Sequence, residues 1–405
     1  MLIMAILLPW TVAVAEVPVV TNPAAATVPP VVIHPRQLWH VGASDDPDTP
    51  PLGHILDVAT DAEGNAYLLD ESLVLIHVVG LLGDDLGNLG REGQGPGEFE
   101  FPQTLGFLPD GRLGVSLFLP GRIVLLDRQG DPRGTFALPE HGGGLPRIWR
   151  FRGSADRFVV SYSTSRSDAR TTHTVNRLDL FGGDAGFLAT LLRTTRETRS
   201  QGMSIDTGRE SNGLATCWDL APDGRVFAAP EYDAYEVHVY DRDGAPQSII
   251  RRPSSPVPHT PEHMAELRAQ REDLQRFEGE SVSIHPYQRA ITSLSARPDG
   301  SLWVLSSQGL RDCPPAHLGV FHVFDREGHY RHDLTLSVDY DPARDRFRLD
   351  GNRLYILKEA LMKPATRFTA RYGNSLVAVA NHPPRDFDPE AEPRPYSVIA
   401  YELPQ

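Results

Sequence analysis

The stretch TLGFLPDGRLGVSLFLPGRIVLLDRQG, Thr104 to Gly130, decides the fold. An apolar run ends in Pro109-Asp110-Gly111, RLGVSL follows, and GRIVLL then ends in Asp127-Arg128-Gln129-Gly130. Asp-Gly suits such reversals because glycine takes a positive φ at no steric cost and aspartate bonds its own backbone. The runs between the turns hold β-branched and large apolar residues with partial alternation, the pattern of half-buried strands.

The same unit recurs along the chain. Its first turn returns at Asp61–Gly64 before AYLLD, at Pro222–Gly224 before RVFAAP and at Pro298–Gly300 before SLWVLSS. Its later turn returns at Asp241–Gly244 after YEVHVY and at Asp325–Gly328 after GVFHVF. Four short strands per unit, repeated about six times at roughly 40–60 residues, predict an all-β propeller. The blades fall at about 53–100, 101–140, 145–200, 213–253, 288–337 and 343–403. The third copy, FRGSADRFVVSYS, lacks the Asp-Gly turn but keeps the strand pattern. The last unit contains RFRLDGNRLYILK, FTARYGNSLVAVA and YSVIAYEL, more strand than one blade needs, so seven blades is the alternative count. The N-terminal RQLWHVG (Arg36 to Gly42) would then complete the last blade and remove free sheet edges.

Bulk properties agree with one large domain at residues 36–405. The 35 glycines and 35 prolines are spread along the chain, as many short elements joined by many turns require. The formal net charge is −14, lysine occurs only at Lys358 and Lys363, and no long basic run exists, which argues against a nucleic-acid partner. Residues 1–15 form an apolar run ending in Ala13-Val14-Ala15, the pattern of a cleaved secretory signal, although no Lys or Arg precedes it. The run is shorter than the roughly 20 residues a spanning helix needs, and no later stretch is long and apolar enough. Residues 16–35, rich in Pro, Ala, Val and Thr, read as a linker. The expected location is the periplasm or the outside of the cell.

The segment GREGQGPGEFEFP (Gly90 to Pro102), with the TLGFLPDGRLGVS and GRIVLLDRQG that follow, resembles an NHL repeat. Its Gly-Gln-Gly-Pro-Gly-Glu-Phe string resembles that of a large group of exported bacterial six-bladed propellers, and ITSLSARPDGSLWVLSS resembles their fifth-blade region. The resemblance covers most of the chain after residue 36 and is weak in the third and last blades. It implies the fold and leaves the function open, because propellers host enzymes, receptors and scaffolds alike.

In a propeller the first strand of each blade lines the central channel. The loops leading into first strands, and those joining second to third strands, emerge on one face. Residues at the starts of first strands are therefore the candidate ligand contacts: His54, Asp57, Gln103, Arg147, Trp149, Trp218, Asp219 and Arg289. Trp, Arg and His at a channel mouth suit a small polar or sugar-like ligand, with aromatic stacking and Arg or Asp fixing orientation. Three unusual segments fall on that face: the glycine-rich loop 90–100, the insertion 254–287 between the fourth and fifth blades, and the loop 381–395. The insertion predicts a short helix, capped by Thr260 with Pro261 in its first turn, whose Met264, Leu267, Leu274 and Phe277 form a stripe that could cover the mouth. Cys217 and Cys313 map to the same face of adjacent blades, where an oxidising compartment would let them pair.

No catalytic residue is assigned. His317, His322, His329 and His332 lack a recognised metal-ligand spacing, and His141-Gly-Gly-Gly144 has no nucleophile elbow to serve. The glycines of the 90–100 loop lack the Gly-Lys-Ser/Thr of a phosphate loop. The leading expectation is a binding or scaffold module without a cofactor, taking an unknown protein or a small polar ligand on the channel face. The alternative is a metal-dependent hydrolase, lactonase or lyase using calcium or zinc. It would need Asp57, Asp219, His54 and Gln103 to converge on the ion.

Overall fold

The structure, a computed structural model, describes residues 16–42, 52–118, 120–139, 144, 146–154, 156–168, 171–199, 204–206, 217–265, 267–268, 281–283, 285–361, 367–372, 375–380 and 394–404. The apolar run 1–15, the loop 381–393 and the glycines 142–143 lie outside the described residues.

The first five predicted units each supply four antiparallel strands that hydrogen-bond in sequence order from the axis outward, and the sixth supplies three. Blade 1 runs from Ile55–Thr60 to Asp85–Leu89, blade 2 from Pro102–Phe107 to Pro132–Ala137, and blade 3 from Pro146–Gly153 to Phe187–Arg199. Blade 4 runs from Trp218–Leu220 to Pro246–Arg251, and blade 5 from Ile291–Ala296 to Tyr330–Ser337. Blade 6 combines Arg346–Asp350, Arg353–Lys358 and Ser397–Glu402 with the N-terminal strand Arg36–Val41 as its outermost member. The surplus strand in the last unit is a hairpin, Arg367–Tyr372 with Ser375–Ala380, whose two strands pair with each other and, among the described residues, with no blade. The count is therefore six blades.

The hydrophobic core shows that the blades form a closed ring. Apolar side chains of each blade pack against those of the next, in six clusters. One cluster carries Phe151, Phe158 and Phe181 of blade 3 against Ile123 and Leu125 of blade 2. Another joins Trp39, Tyr355 and Val398 of blade 6 to Val58 and Leu68 of blade 1. Both faces of every sheet are buried this way, which is why the strands read as nearly continuous apolar runs.

The repeated turns have distinct jobs. Gly111 (φ 82) and Gly130 (φ 87) take the left-handed conformation that the sequence predicts for them. The arginine after the later-turn aspartate reaches back to an acid in the preceding blade. Arg128 pairs with Glu63, Arg242 with Asp156 (2.5 Å), and Arg326 with Asp223 (3.0 Å). These pairs are largely exposed and contribute at most about 1 kcal/mol each.

The stretch read as a linker is partly strand. Val19–Thr21 adds in parallel to the outer strand of blade 4, and Val31–Ile33 to the outer strand of blade 5. Between them the buried Asn22 donates to the Gly328 carbonyl (3.0 Å) and accepts from the Tyr330 N–H (2.7 Å). Arg252 donates to the Ala24 carbonyl, stacks over the Tyr330 ring (4.6 Å), and donates to His322 Nε2 (3.2 Å). Residues 16–41 thus form a strap around the outside of blades 4, 5 and 6.

His322 lies beneath this strap and not in a metal cluster. Its Nδ1 faces the Tyr235 hydroxyl at 2.8 Å, and burial, then the Arg252 charge, lowers its pKa to about 4. His317 instead bonds the Pro315 carbonyl, and His329 lies beside Asp325. Between pH 6.5 and 4 the unfolded chain binds a proton at His322 that the folded chain refuses. This residue therefore makes stability fall as pH drops through that window, by about 3 kcal/mol in full. Urea unfolding at pH 7 and pH 4.5 checks this: the wild type should lose more stability than His322→Gln, which cannot take the proton.

Candidate functional site

The innermost strands do not alternate simply. In blades 1, 2, 3 and 5 the pairing skips one residue near the strand start, leaving Leu56, Gln103, Trp149 and Thr292 as bulges. A bulge inserts one residue and re-aims those before it relative to those after it. Counting back from the hairpin turns, Asp57, Thr104, Arg150, Ser293 and Arg346 share one level. Ala59, Gly106, Arg152, Asp219, Ser295 and Arg348 share the level two residues deeper.

Three carboxylates, Asp57 and Asp219 at these levels and Asp350 two residues deeper still, tie neighbouring blades together. Asp57 Oδ2 accepts from the Leu105 N–H of blade 2 (3.1 Å), Asp219 Oδ2 from the Ala296 N–H of blade 5 (2.8 Å), and Asp350 Oδ2 from the Thr60 N–H of blade 1 (2.8 Å). Their remaining oxygens meet arginines. Arg152 pairs with Asp219 (3.2 Å) and donates to Asp350 Oδ1 (3.1 Å). Arg150 pairs with Asp219 (3.5 Å) and donates to the Trp218 carbonyl (2.9 Å). Arg348 Nε lies 3.5 Å from Asp57. Blades 3 and 6 stand opposite each other in a six-membered ring, so the Arg152–Asp350 bond crosses the channel and gives it a floor.

The two blade-3 arginines differ electrostatically. Burial pulls on both, but Asp219 and Asp350 outweigh it at Arg152, whose pKa is raised. At Arg150 burial is followed by repulsion from Arg348, and its pKa falls to about 9. Burial also lowers that of Arg346, with Glu71 and Asp57 opposing. All of these groups remain cationic at neutral pH.

The other expected contacts scatter. Trp218 is fully buried between blades 3 and 4, with the Arg150 guanidinium 4.8 Å from its ring centroid, so it is not open to a ligand. His54 is also buried; its Nδ1 faces Glu71 (3.1 Å) and its Nε2 faces the Ala360 carbonyl (2.9 Å), joining blades 1 and 6. Gln103 and Trp149 are bulge residues, both half-buried. Trp149 packs edge-on to Phe118 (5.5 Å), over which Arg147 lies (5.8 Å). Arg289 donates to the Ala229 carbonyl and stacks over Tyr232 (5.8 Å) at the blade 4–5 junction. The channel thus keeps Asp57 and Asp219 and gains Arg150, Arg152, Arg346 and Arg348. Arginine at alternate positions in RFRG (Arg150, Arg152) and RFRLD (Arg346, Arg348) is the signal that would have found them.

The set Asp57, Asp219, His54 and Gln103 does not gather. Among the described residues no three His, Cys, Asp or Glu side chains are grouped to hold a metal ion. The expected Cys217–Cys313 bridge is not formed. Cys217 Sγ approaches the Ile291 carbonyl (3.3 Å) inside the blade 4–5 core, whereas Cys313 Sγ approaches its own His317 carbonyl (3.2 Å). Burial raises the Cys313 pKa.

The insertion after blade 4 does begin a helix. The Thr260 hydroxyl accepts from the His263 N–H (3.2 Å), and the Met264 N–H donates to the Thr260 carbonyl (2.9 Å). Its foot stands on the loop joining the second and third strands of blade 4. There Tyr232 donates to the Tyr287 carbonyl (3.0 Å) and His285 meets Asp233 (3.2 Å). Leu274, Phe277 and the covering role expected of them lie outside the described residues.

No protein-family model matches the chain, and no curated relative does. Solved structures do. A member of the DUF4221 family from Bacteroides vulgatus aligns at 10% identity over 90% of this chain and 97% of its own, with a TM-score of 0.47. A Bacteroides fragilis protein named as a candidate exported protein aligns at 9% identity over 96% and 100%, with a TM-score of 0.46. Virginiamycin B lyase from Staphylococcus aureus aligns at 10% identity over 90% and 99%, with a TM-score of 0.41. What the chain has in common with these proteins is the six-bladed β-propeller fold.

Proposed function

We propose that this chain is an exported propeller of NHL type that acts as a binding module and holds a small polar ligand in the mouth of its channel. The observation that carries the reading is the Arg152–Asp350 bond between opposite blades. We read the channel as a cup floored by that bond and open toward the face where first strands begin. Thr104 and Ser293 are small residues at its upper level, where Arg150 and Arg346 supply donors. A concave site with few convergent polar groups is the usual form of a small-molecule site. The carboxylates and His54 already serve as ties between blades, which favours binding over catalysis. Export is supported by the apolar run 1–15 with its Ala13-Val14-Ala15 ending. No helix among the described residues is long and apolar enough to cross a membrane.

Calorimetry with a panel of small organic acids, sugars and amino acids tests the reading. At least one compound should bind with a Kd below about 1 mM, a binding free energy of about −4 kcal/mol or better. Ser293→Trp, which fills the cup, should abolish that binding while the unliganded protein keeps its unfolding midpoint. Binding unchanged in Ser293→Trp would place the ligand elsewhere.

A further inference from the structure

Resting on that reading, we infer that the ligand of the cup is a small anion, gripped through a carboxylate or phosphate group by Arg150 and Arg348 from opposite sides of the channel. The argument begins with how the acids are already used. Asp57 accepts from two backbone N–H groups, Val58 (2.9 Å) and Leu105 (3.1 Å), and lies 3.5 Å from Arg348 Nε, beyond a good charged hydrogen bond. Asp219 gives one oxygen to the Ala296 N–H and shares the other between Arg150 and Arg152. Asp350 is taken by the Thr60 N–H and Arg152. Arg348 Nε is buried and has no hydrogen-bond partner among the described residues.

Arg150 and Arg348, from opposite blades, are therefore close enough to repel, and the acids nearest them, Asp219 and Asp57, are each shared with other donors. Burial and Arg348 are the two largest influences on Arg150, and both disfavour its charge. Arginine does not shed its proton at neutral pH, so the shared Asp219 and Asp57 offset the repulsion in part and an added anion offsets more of it. A neutral polyol would leave the repulsion standing. A planar guanidinium presents paired N–H donors that match the oxygens of a carboxylate or phosphate. The floor limits the ligand to a small molecule.

The test titrates citrate, succinate, inorganic phosphate and glucose into the full-length protein, with calorimetry at fixed ionic strength. At least one of the three anions should bind saturably at a site lost in Ser293→Trp, and glucose should not. Arg348→Gln should weaken that binding at least tenfold. Arg348→Lys, which keeps the charge and loses the fork, should fall between. Citrate or succinate binding identifies a carboxylate ligand, and phosphate binding a phosphoryl one. Glucose binding in the cup with all three anions silent would overturn the anion and leave the binding module standing. No binding to the cup by any compound in either panel would overturn both. Anion binding unaffected by Arg348→Gln would remove Arg348 from the site and overturn the inference.

Discussion

Asp219→Ala is expected to cost the fold about 3–5 kcal/mol, the usual penalty for removing one partner of a buried ion pair. Asp219 is buried, and three groups depend on it: the Ala296 N–H of blade 5 and the guanidinium groups of Arg150 and Arg152 from blade 3. The alanine leaves an unsatisfied amide and two under-compensated cations in a place with little water. Urea unfolding followed by tryptophan fluorescence measures the loss directly. Arg36→Ala provides the comparison. It breaks the exposed Arg36–Glu402 pair and should cost less than about 1 kcal/mol. Equal effects for the two variants would mean that the belt of charge around the axis contributes nothing to holding blades 3, 4 and 5 together.

Removal of residues 16–41 should abolish cooperative unfolding altogether. The cut takes away the outermost strand of blade 6, which pairs with Ser397–Glu402, and with it Trp39 from the cluster between blades 6 and 1. The backbone of Ser397–Glu402 becomes an open edge, and losing a buried tryptophan alone costs about 3–5 kcal/mol. A typical domain has only about 5–15 kcal/mol in hand. A shorter cut of residues 16–35 should keep the cooperative transition at a lower midpoint, because it removes only the strands laid against blades 4 and 5. Near-ultraviolet circular dichroism and size-exclusion chromatography distinguish the two outcomes. A 42–405 chain that melts like the full-length protein would show that the ring does not need this strand.

The fold could be read from sequence because its punctuation is local. Asp-Gly turns such as Pro109–Gly111 and Asp127–Gly130 fix where strands end, whatever surrounds them. The last unit was ambiguous because FTARYGNSLVAVA has the pattern of strands in a sheet, and pattern alone does not say which sheet. The channel was only half legible. Asp57 and Asp219 lie on innermost strands, whereas Trp218 and His54, expected at a channel mouth, are buried in the core. Trp218 directly precedes Asp219 in the regular first strand of blade 4, so alternation alone turns it away from the side Asp219 faces. In the four innermost strands that carry a bulge, the reason is that bulge. One unpaired residue, as at Trp149, shifts the register by a step, so a position counted from the strand start points elsewhere than alternation predicts. Counting back from the turns would have found Arg150, Arg152 and Arg348 instead. The stretch 16–35 misled for another reason. Three-residue strands such as Val19–Thr21 are too short to show a period, and they pair only because a finished sheet offers them an edge.

Arg36–Val41 and Ser397–Glu402 lie side by side in one sheet although nearly the whole polypeptide separates them. During synthesis the early segment must therefore wait for its partner until Ser397–Glu402 has left the ribosome. Up to that moment the nascent chain is an arc with two raw ends, and any holding factor that keeps those ends apart delays maturation of the entire molecule. Linking Glu402 to Arg36 by a short peptide and opening the chain instead between two other blades would shift that waiting period to a different pair of strands.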